Sequence, residues 1–482
     1  MNVLHHFLVK NDNRPPELII QDELHLISSA LGSIVGLYEV GIDTALTSRG
    51  IHTKYIASTA TITNAEKQIR TLFARETAIF PPPGIRYNDS YFAKTIPLEE
   101  KPGRLYIGYM APLLSRQNCL KPLASTLLAA PSIFSGYENE YEYKDAWWTQ
   151  IVYHGSLKGI GISRTLYQGA IKDYLDTITL KTVNNEIHEE FGPNFIVTMA
   201  ELRNPNIIIN EDIKTIIKKY SPIRNFNVKM LTSKQSAEDN AKVFSALTFH
   251  NNEKESIDVA LATNMISVGL DVSRLSLMII NGQPLTTAEY IQASSRVGRS
   301  DIPGIVYINY YKTQARSLSH YENFRSYHDS FNRFVEPSSL TPFTYQARTR
   351  ALHAALTIAI RHGNNGLLNN ELAGNFNFEN ELVKKTIKIM KKRCSSAIGP
   401  FKETISKTHL HIDSLIQEWE NEIEYCNSNR IKLVYHSKDR GFNSLICNFD
   451  ENKDRSIPWQ TLQSMRNVEN SALIKLVKGV KL

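Results

Sequence analysis

The sequence has few cysteines, no long apolar run and no recognisable export signal. Its cysteines are Cys119, Cys394, Cys426 and Cys447, and none forms a Cys-x-x-Cys pair. A zinc cluster or a dense disulfide framework is therefore not expected, and buried reduced thiols are the simpler interpretation. No run of 18 apolar residues is present, and the first residues lack the basic and apolar segments of a signal peptide. These absences predict a cytoplasmic protein with no membrane partner.

Composition and charge exclude few functional classes of protein. Hydrophobic residues make up 42% and charged residues 21% of the 482 positions, which is ordinary for a globular protein. A chain of this length is expected to form about three domains. The formal net charge of +7 allows a phosphate-rich partner, because Lys and Arg release counterions from nucleic acid. Many proteins without such a partner are equally basic.

The first 100 residues have the pattern of the end of an α/β domain. A short apolar strand is predicted from Glu17 to Ile20 and a second from Lys54 to Ala57. Helices are predicted from Ile27 to Leu37 and from Asn64 to Phe73. We expect residues 1–100 to be one domain, but only part of a complete sheet.

From residue 101 to residue 315, predicted strands alternate with predicted helices, which is typical of a parallel sheet covered on both faces. Residues 316–482 look mainly helical, with an irregular end. The fold class is therefore predicted as α/β followed by a helical region. The predicted strands are Leu105 to Tyr109, Ile151 to Tyr153, Val228 to Leu231, Ile257 to Ala262, Leu277 to Ile280 and Gly304 to Asn309.

Two acidic residues follow the first predicted strand. Asp22 and Glu23 stand where α/β sheets bind ligands, at the carboxyl end of a strand. In a nucleotidase one carboxylate holds Mg²⁺ and its neighbour orients or deprotonates the attacking water. Asp22 suits the metal role and Glu23 the base role. The alternative is an ordinary strand-to-helix turn in which Asp22 caps the helix.

Small hydroxyl residues follow the second predicted strand, in Ser58-Thr59-Ala60-Thr61. Side chains of this kind can hydrogen-bond the metal-binding carboxylates and respond to their state. The alternative is that they are turn or cap residues, as Ser and Thr after a strand usually are.

A third motif begins at Asp258, where a buried strand runs into Thr263 and Asn264 and on to Gly269 and Asp271. A small, polar loop with a glycine allows a backbone to approach a phosphate or a sugar closely. A purely structural loop is the alternative.

A fourth motif runs from Tyr290 to Arg299 and includes Gln292, Arg296 and Arg299. The two arginines are predicted on one side of a helix end, with Gly298 between them to permit a turn. A planar, permanently charged guanidinium suits a γ-phosphate and the charge that spreads over it during transfer. Surface ion pairs are the alternative.

The four motifs occur in the order of motifs II, III, V and VI of superfamily 2 helicases, which this sequence resembles. The resemblance implies tandem RecA-like domains, the first incomplete, that bind ATP and Mg²⁺ between them. It assigns catalysis to Asp22, Glu23, Arg296 and Arg299, with Asp22 on the metal. The residues it implies for ATP binding and coupling are His25, Thr59, Thr61, Gly269, Asp271 and Gln292.

Nucleic-acid contacts are also implied by the resemblance. Thr263 and Asn264 would touch the strand, and so would Gly155 and Ser156, which follow a strand of the second domain. An ordinary turn explains Gly155 and Ser156 about as well. Further along, Lys384 to Arg393 forms a basic helix. A solvated surface is the simpler interpretation of this helix, and a phosphate-tracking face is the alternative.

Longer phrases resemble the large helicase subunit of DISARM-type bacterial anti-phage systems, from about Pro16 to Glu469. That resemblance implies DNA rather than RNA, a role in phage defence and other defence subunits as partners. The phrases are Phe80 to Gly84, Thr263 to Gly269, Gly282 to Pro284, Thr287 to Gln292, Ser319 to Phe324 and Ser464 to Glu469.

One element of a helicase motor is missing from the sequence. No Gly-x-x-x-x-Gly-Lys-Ser/Thr phosphate loop occurs, although such a loop cradles the β- and γ-phosphates. Three explanations are open. A separate polypeptide supplies the phosphate loop, the chain is a truncated product, or the chain is an ATPase-dead scaffold. The first case predicts that ATP and Mg²⁺ bind only with the P-loop half present. An incomplete sheet also predicts association and poor solubility, because its edges and faces are uncovered.

Overall fold

The computed structural model describes residues 16–59, 65–80, 96–133, 139–208, 210–220, 226–232, 234–267, 271–336, 340–437, 441–448 and 457–462. The chain divides into two compact units. Unit 1 comprises Met1–Pro82 and Pro337–Leu482, and unit 2 comprises Pro83–Glu336. Unit 1 therefore combines the first segment with the helical C-terminal region.

The strands and helices follow the predicted alternation closely. The strands are β1 (Leu18–Gln21), β2 (Lys54–Ala57), β3 (Arg104–Met110), β4 (Gln150–Tyr153), β5 (Val228–Leu231), β6 (Val259–Ala262), β7 (Leu277–Asn281), β8 (Gly304–Tyr310), β9 (Lys432–Val434), β10 (Phe442–Ser444), β11 (Ile446–Asn448) and β12 (Trp459–Thr461). The α-helices are α1 (Ser29–Ser48), α2 (Ala65–Phe73), α3 (Arg116–Ile133), α4 (Glu140–Ala146), α5 (Leu157–Leu166), α6 (Lys172–Phe191), α7 (Met199–Arg203), α8 (Glu211–Tyr220), α9 (Ala237–Ala246), α10 (Thr287–Ser294), α11 (Ala315–Glu322), α12 (Phe324–His328), α13 (Tyr345–Gly363), α14 (Glu381–Ile398) and α15 (Lys402–Ser428).

Unit 2 contains a six-stranded sheet with the order β3-β8-β7-β4-β6-β5, and every neighbouring pair is parallel. The central strands β4, β6 and β7 are buried along their whole length. Their near-continuous apolar sequences are what a strand covered on both faces requires. In register, Tyr153 lies opposite Ala262 and Ile280, so the carboxyl ends of these strands meet at one edge of the sheet.

Helices cover both faces of this sheet. Successive strand residues point to opposite faces, and two separate apolar clusters reflect this. Ile151, Ala260 and Met278 belong to one cluster, whereas Val152 and Leu261 belong to the other. The predicted α/β fold class is confirmed by this arrangement.

In the described residues of its first segment, unit 1 contains one two-stranded parallel pair, β1 with β2. Tyr55 and Ala57 pack against a small cluster that includes Phe73. On the other face, Leu18, Ile20 and Ile56 are 46%, 67% and 46% exposed. Apolar strand residues of a parallel sheet are usually covered, so this face has the character of a sheet interior.

The largest core of unit 1 forms where α1 lies against α13. Leu37 and Val40 of α1 pack in one cluster with Leu352 and Ala355 of α13. Gly41 permits the close approach, since a Cβ there would lie 2.7 Å from the carbonyl oxygen of Ala355. The first segment of the chain is therefore built into the helical region at its other end.

The C-terminal region contains short strands as well as the predicted helices. Short parallel pairs form between β9 and β10 and between β11 and β12, and their three-residue length leaves almost no periodicity to recognise. All four cysteines are free and buried, as expected. Within the described ranges, none of the helices is both long and apolar enough to span a bilayer.

Candidate functional site

The acidic motif and the hydroxyl motif meet at the ends of β1 and β2. These strands are parallel with Gln21 opposite Ala57, so the next residues, Asp22 and Ser58, stand side by side. Ser58 donates its hydroxyl proton to Asp22 Oδ1, and the Glu23 amide donates to the same oxygen at 2.9 Å. These two hydrogen bonds hold the pKa of Asp22 below its usual value. Asp22 is therefore a carboxylate at neutral pH, exposed to solvent.

Glu23 and His25 complete this corner of unit 1. Glu23 adopts a left-handed backbone, with φ 53°, and so turns the chain sharply out of β1. His25 is buried, and its Nδ1 lies 3.1 Å from Thr59 Oγ1 and 3.4 Å from Glu23 Oε2. The hydroxyls after β2 thus contact both the carboxylate and the histidine after β1. Thr61 lies outside the described residues.

An exposed, ionised Asp22 fits the chemistry of a magnesium ligand. Mg²⁺ prefers oxygen ligands and usually takes one or two carboxylates together with phosphate oxygens and water. Only Oδ1 of Asp22 is hydrogen-bonded among the described residues, so Oδ2 is available as a ligand. In the described part of the chain, no group of three or more His, Cys, Asp and Glu side chains forms a metal cluster.

The third motif lies at the carboxyl end of β6 in unit 2. The Thr263 amide donates to the Leu231 carbonyl oxygen at 3.2 Å and continues the sheet by one residue. Thr263 is buried, whereas Asn264 is exposed at the start of a short 3-10 helix, Asn264–Ser267. Gly269 lies outside the described residues. Asp271 is described, and it is exposed.

The two arginines of the fourth motif lie in the turn after α10, because that helix already ends at Ser294. Gly298 has φ +66°, and a Cβ there would lie 2.6 Å from the Cα of Gly304. Only glycine fits this turn. Arg299 folds back, donating from Nε to the Ser295 carbonyl at 3.0 Å and from Nη1 to Asp271 Oδ1 at 2.7 Å. An ion pair thus links the ends of the third and fourth motifs within unit 2.

The helix that carries the fourth motif is anchored at several points. Thr286 caps α10 by accepting from the Glu289 amide at 3.2 Å. Glu336 accepts from the Thr287 amide at 2.8 Å, and the Tyr153 hydroxyl donates to Glu289. Gln292 is buried in the middle of the helix. The arginine turn is therefore held by a firmly packed support.

A polar network, which the sequence did not single out, lies at the ends of β4, β7 and β8. Asn281 Oδ1 accepts from Asn309 Nδ2 at 2.8 Å and from the Tyr311 hydroxyl. Asn281 Nδ2 lies 3.3 Å from Nδ1 of the buried His154. An asparagine that closes an otherwise apolar strand was the available signal, because a buried amide requires partners.

Gly155 and Ser156 follow this network directly. Ser156 caps α5, accepting from the Gly159 amide at 3.2 Å, and Gly155 is exposed with open space around it. A cavity of about 210 Å³ opens beside them and is lined in part by Lys158 and Asn281. The turn explanation accounts for the cap. The lysine, the hydroxyl and the helix N-terminus at the cavity also suit a phosphate.

Part of the chain is similar to a known protein family. Residues 179–301 match the helicase conserved C-terminal domain. The chain is 34% identical over 481 residues to the DISARM protein DrmA of Bacillus paralicheniformis, an alignment that covers 96% of this chain and 38% of that protein. The chain thus spans less than half the length of the curated relative it matches.

Solved structures of helicases are also similar to this chain. The DUF1998 helicase MrfA bound to DNA is 14% identical with a TM-score of 0.43, over 71% of this chain and 35% of MrfA. The Mycobacterium smegmatis helicase Lhr bound to single-stranded DNA and AMP-PNP is 12% identical with a TM-score of 0.44, over 84% of this chain and 40% of Lhr. Similarities this distant do not indicate which residues of this chain are catalytic or bind a ligand.

Proposed function

We propose that this chain, a superfamily 2 helicase chain resembling part of the DISARM protein DrmA, is the part of a DNA translocase that couples ATP hydrolysis to movement. The observation that carries the proposal is the contact of Asp22 and His25 with Ser58 and Thr59 after two parallel strands. That contact joins the acidic motif to the hydroxyl motif, so that a change at the carboxylate would reach the end of β2.

The residues of unit 1 would act on the metal and on the attacking water. Asp22, kept ionised by Ser58, would hold the Mg²⁺ that accompanies ATP. The magnesium supplies charge neutralisation on the β- and γ-phosphates. Glu23 would orient the water and accept its proton, and the contact from His25 to Thr59 would report the state of this corner to β2.

The arginines of unit 2 would act on the phosphates. Arg296 and Arg299 follow a rigid helix, and the left-handed Gly298 sets their spacing. A guanidinium near the transferred phosphoryl group stabilises the charge of the transition state. In the structure Arg299 is paired with the exposed Asp271. When nucleotide binds, Arg299 would leave Asp271 or would contact Asp271 and a phosphate together.

Nucleic acid would bind at the carboxyl edge of the unit 2 sheet. Asn264 is exposed there, and Ser156 and Lys158 line the neighbouring cavity. Amides, hydroxyls and lysines contact phosphate and sugar rather than bases, which suits a motor that moves along any sequence. DNA is proposed over RNA because of the likeness to DrmA.

We further propose that a P-loop from outside this sequence completes the ATPase. The exposed Leu18, Ile20 and Ile56 form an apolar face beside the acidic motif, and more of a RecA-like domain would cover it. The likeness to a DISARM protein supports a role in phage defence, together with other defence proteins. The second candidate is an ATPase-dead nucleic-acid-binding scaffold, favoured by the missing Gly-Lys-Ser/Thr sequence.

A chimera separates these candidates. The matched segment of the Bacillus paralicheniformis DrmA is replaced by this chain, and ATP hydrolysis is measured with and without single-stranded DNA. The chimera is expected to hydrolyse ATP when DNA is added, while this chain alone does not. Arg299→Ala should lower the turnover by about 10³-fold or more, as removal of an arginine finger does. Glu23→Gln should abolish it.

Lys254→Ala serves as the control, since Lys254 is exposed and precedes the opposite, amino-terminal end of β6. A folded chimera that binds DNA but hydrolyses no ATP would contradict the motor and support the scaffold. DNA-stimulated turnover by this chain alone, lost in Glu23→Gln, would contradict the need for an outside P-loop.

A further inference from the structure

A cavity of about 240 Å³ in unit 1 lies apart from the four motifs. It forms where α1, the end of α2 and the last turns of α14 meet, and hydroxyl and cationic side chains dominate its wall. The wall includes Asp43, Thr44, Arg75, Lys392, Arg393 and Ser396.

The charges in this cavity do not balance. Asp43 is buried between two arginines, with Oδ1 2.7 Å from Arg75 Nη2 and Oδ2 2.6 Å from Arg393 Nε. Lys392 adds a third cation to the same wall. Among the described lining residues, three cationic side chains thus face one carboxylate.

Two buried polar atoms in the wall are also unsatisfied. Arg393 is only 6% exposed, and its Nη2 donates to the Leu72 carbonyl at 2.6 Å. Its Nη1 has no hydrogen-bond partner among the described residues, and neither has the buried Thr44 Oγ1. A buried donor left without an acceptor costs free energy, more so on a charged group. An anion seated beside Arg393 would offset that cost.

A row of lysines leads along α14 to the same cavity. Lys385, Lys388 and Lys392 are exposed and spaced by three and four residues, so they share one helix face. None of the three has an ion-pair partner among the described residues, whereas Lys384 and Lys391 on the same helix pair with Glu379 and Asp413. Like charges at this spacing repel each other, which an anionic partner would reverse.

We propose that the cavity and the lysine row bind the phosphates of a nucleic-acid strand, as a second contact in unit 1 outside the helicase motifs. One backbone phosphate would sit against Arg75, Arg393 and Ser396. The following phosphates would run along Lys392, Lys388 and Lys385. The inference rests on the proposed function, because it takes nucleic acid as the ligand of this chain.

Binding of a fluorescein-labelled single-stranded oligonucleotide to the whole chain, followed by anisotropy at several salt concentrations, tests the inference. Lys392→Ala should weaken binding several-fold and lower the salt slope by about 1, as the loss of one phosphate contact does. Ser396→Glu places a carboxylate at the cavity and should weaken binding more than Ser396→Gln, which has the same size. Lys254→Ala in unit 2 should change neither quantity.

Inorganic pyrophosphate provides a second arm, read as a shift in the thermal unfolding of the same chain. Normal DNA affinity and salt slope in both Lys392→Ala and Ser396→Glu would overturn the inference and leave the proposed function intact. If the chain binds no DNA while pyrophosphate stabilises the wild type but not Ser396→Glu, the cavity binds phosphate, and the inference that nucleic acid occupies it is overturned. An absence of both effects would overturn the cavity as an anion site.

Discussion

Glu39 provides a direct test of the electrostatics in unit 1. It lies in α1 with only 7% of its surface exposed, and its partners are weak. Gln21 Nε2 donates to Oε1 at 3.3 Å and the Tyr55 hydroxyl donates to Oε2 at 3.4 Å. Burial raises the pKa of Glu39 to about 7 despite the opposing charge of Arg393. The change proposed is Glu39→Gln, which preserves the shape and removes the charge.

The size and sign of the effect follow from that pKa. A carboxyl group whose pKa moves from 4.5 to about 7 changes the free energy of unfolding by about 3 kcal/mol. The unfolded chain releases this proton near pH 4.5, while the folded chain holds it until about pH 7. The contribution of Glu39 is therefore fully present at low pH and is lost as the pH rises through this window. Glu39→Gln should match the wild type near pH 4.5 and be about 3 kcal/mol more stable at pH 8.

Urea denaturation across this pH range, followed by tryptophan fluorescence, measures the difference. Burial lowers the pKa of His320, His328 and His411, which makes stability rise with pH, but those groups are present in both proteins. Only the difference between variant and wild type therefore reports Glu39. Glu66→Gln, at an exposed position of α2, is the control and should show no such difference. A Glu39→Gln curve parallel to the wild type over the whole range would refute the reasoning.

Three further changes test the packing. Gly298→Ala should lower the free energy of unfolding by at least about 1–2 kcal/mol, because alanine is strained at φ +66° and has no space there. Gly155→Ala, in open space, is the control. Equal urea midpoints for Gly298→Ala and the wild type would contradict this prediction. Gly41→Ala should destabilise by about 1–3 kcal/mol through overpacking against α13, although alanine is the better helix former, so a higher melting temperature would count against it. Arg393→Met should cost about 3–5 kcal/mol in urea denaturation by leaving Asp43 buried with one arginine. Adding Asp43→Asn should recover part of that loss, and no recovery would argue against the buried pair.

The sequence predicted the local structure best where periodicity is strong and contacts are near. The bounds of β2 and β5 agree with the predicted ones, because short apolar runs define them. The contact of Asp22 with Ser58 also follows from local information, since each residue comes next after one of two paired parallel strands.

Long-range contacts account for what the sequence did not reveal. Arg393 was counted in a solvated basic helix, yet it is buried against Asp43, 350 positions earlier. The predicted α1 stopped at Leu37, whereas the helix continues to Ser48, where its second half packs on α13. Similarly, the arginine turn depends on contact between Gly298 and Gly304, which no helix periodicity encodes. The roles assigned to the motif residues stay predictions.

The composition of unit 1 from two distant segments has a consequence for biosynthesis. The segment that ends near Phe80 leaves the ribosome before its partner helices, which begin only after Leu340. At about 5–20 residues per second, translation of the roughly 260 residues between them takes roughly 13–50 s. During that interval the partners of Leu37 and Val40 on α13 have not been made, whereas unit 2 is translated in full before they appear. The nascent chain should therefore depend on a chaperone to protect α1, and slower translation should lengthen that dependence.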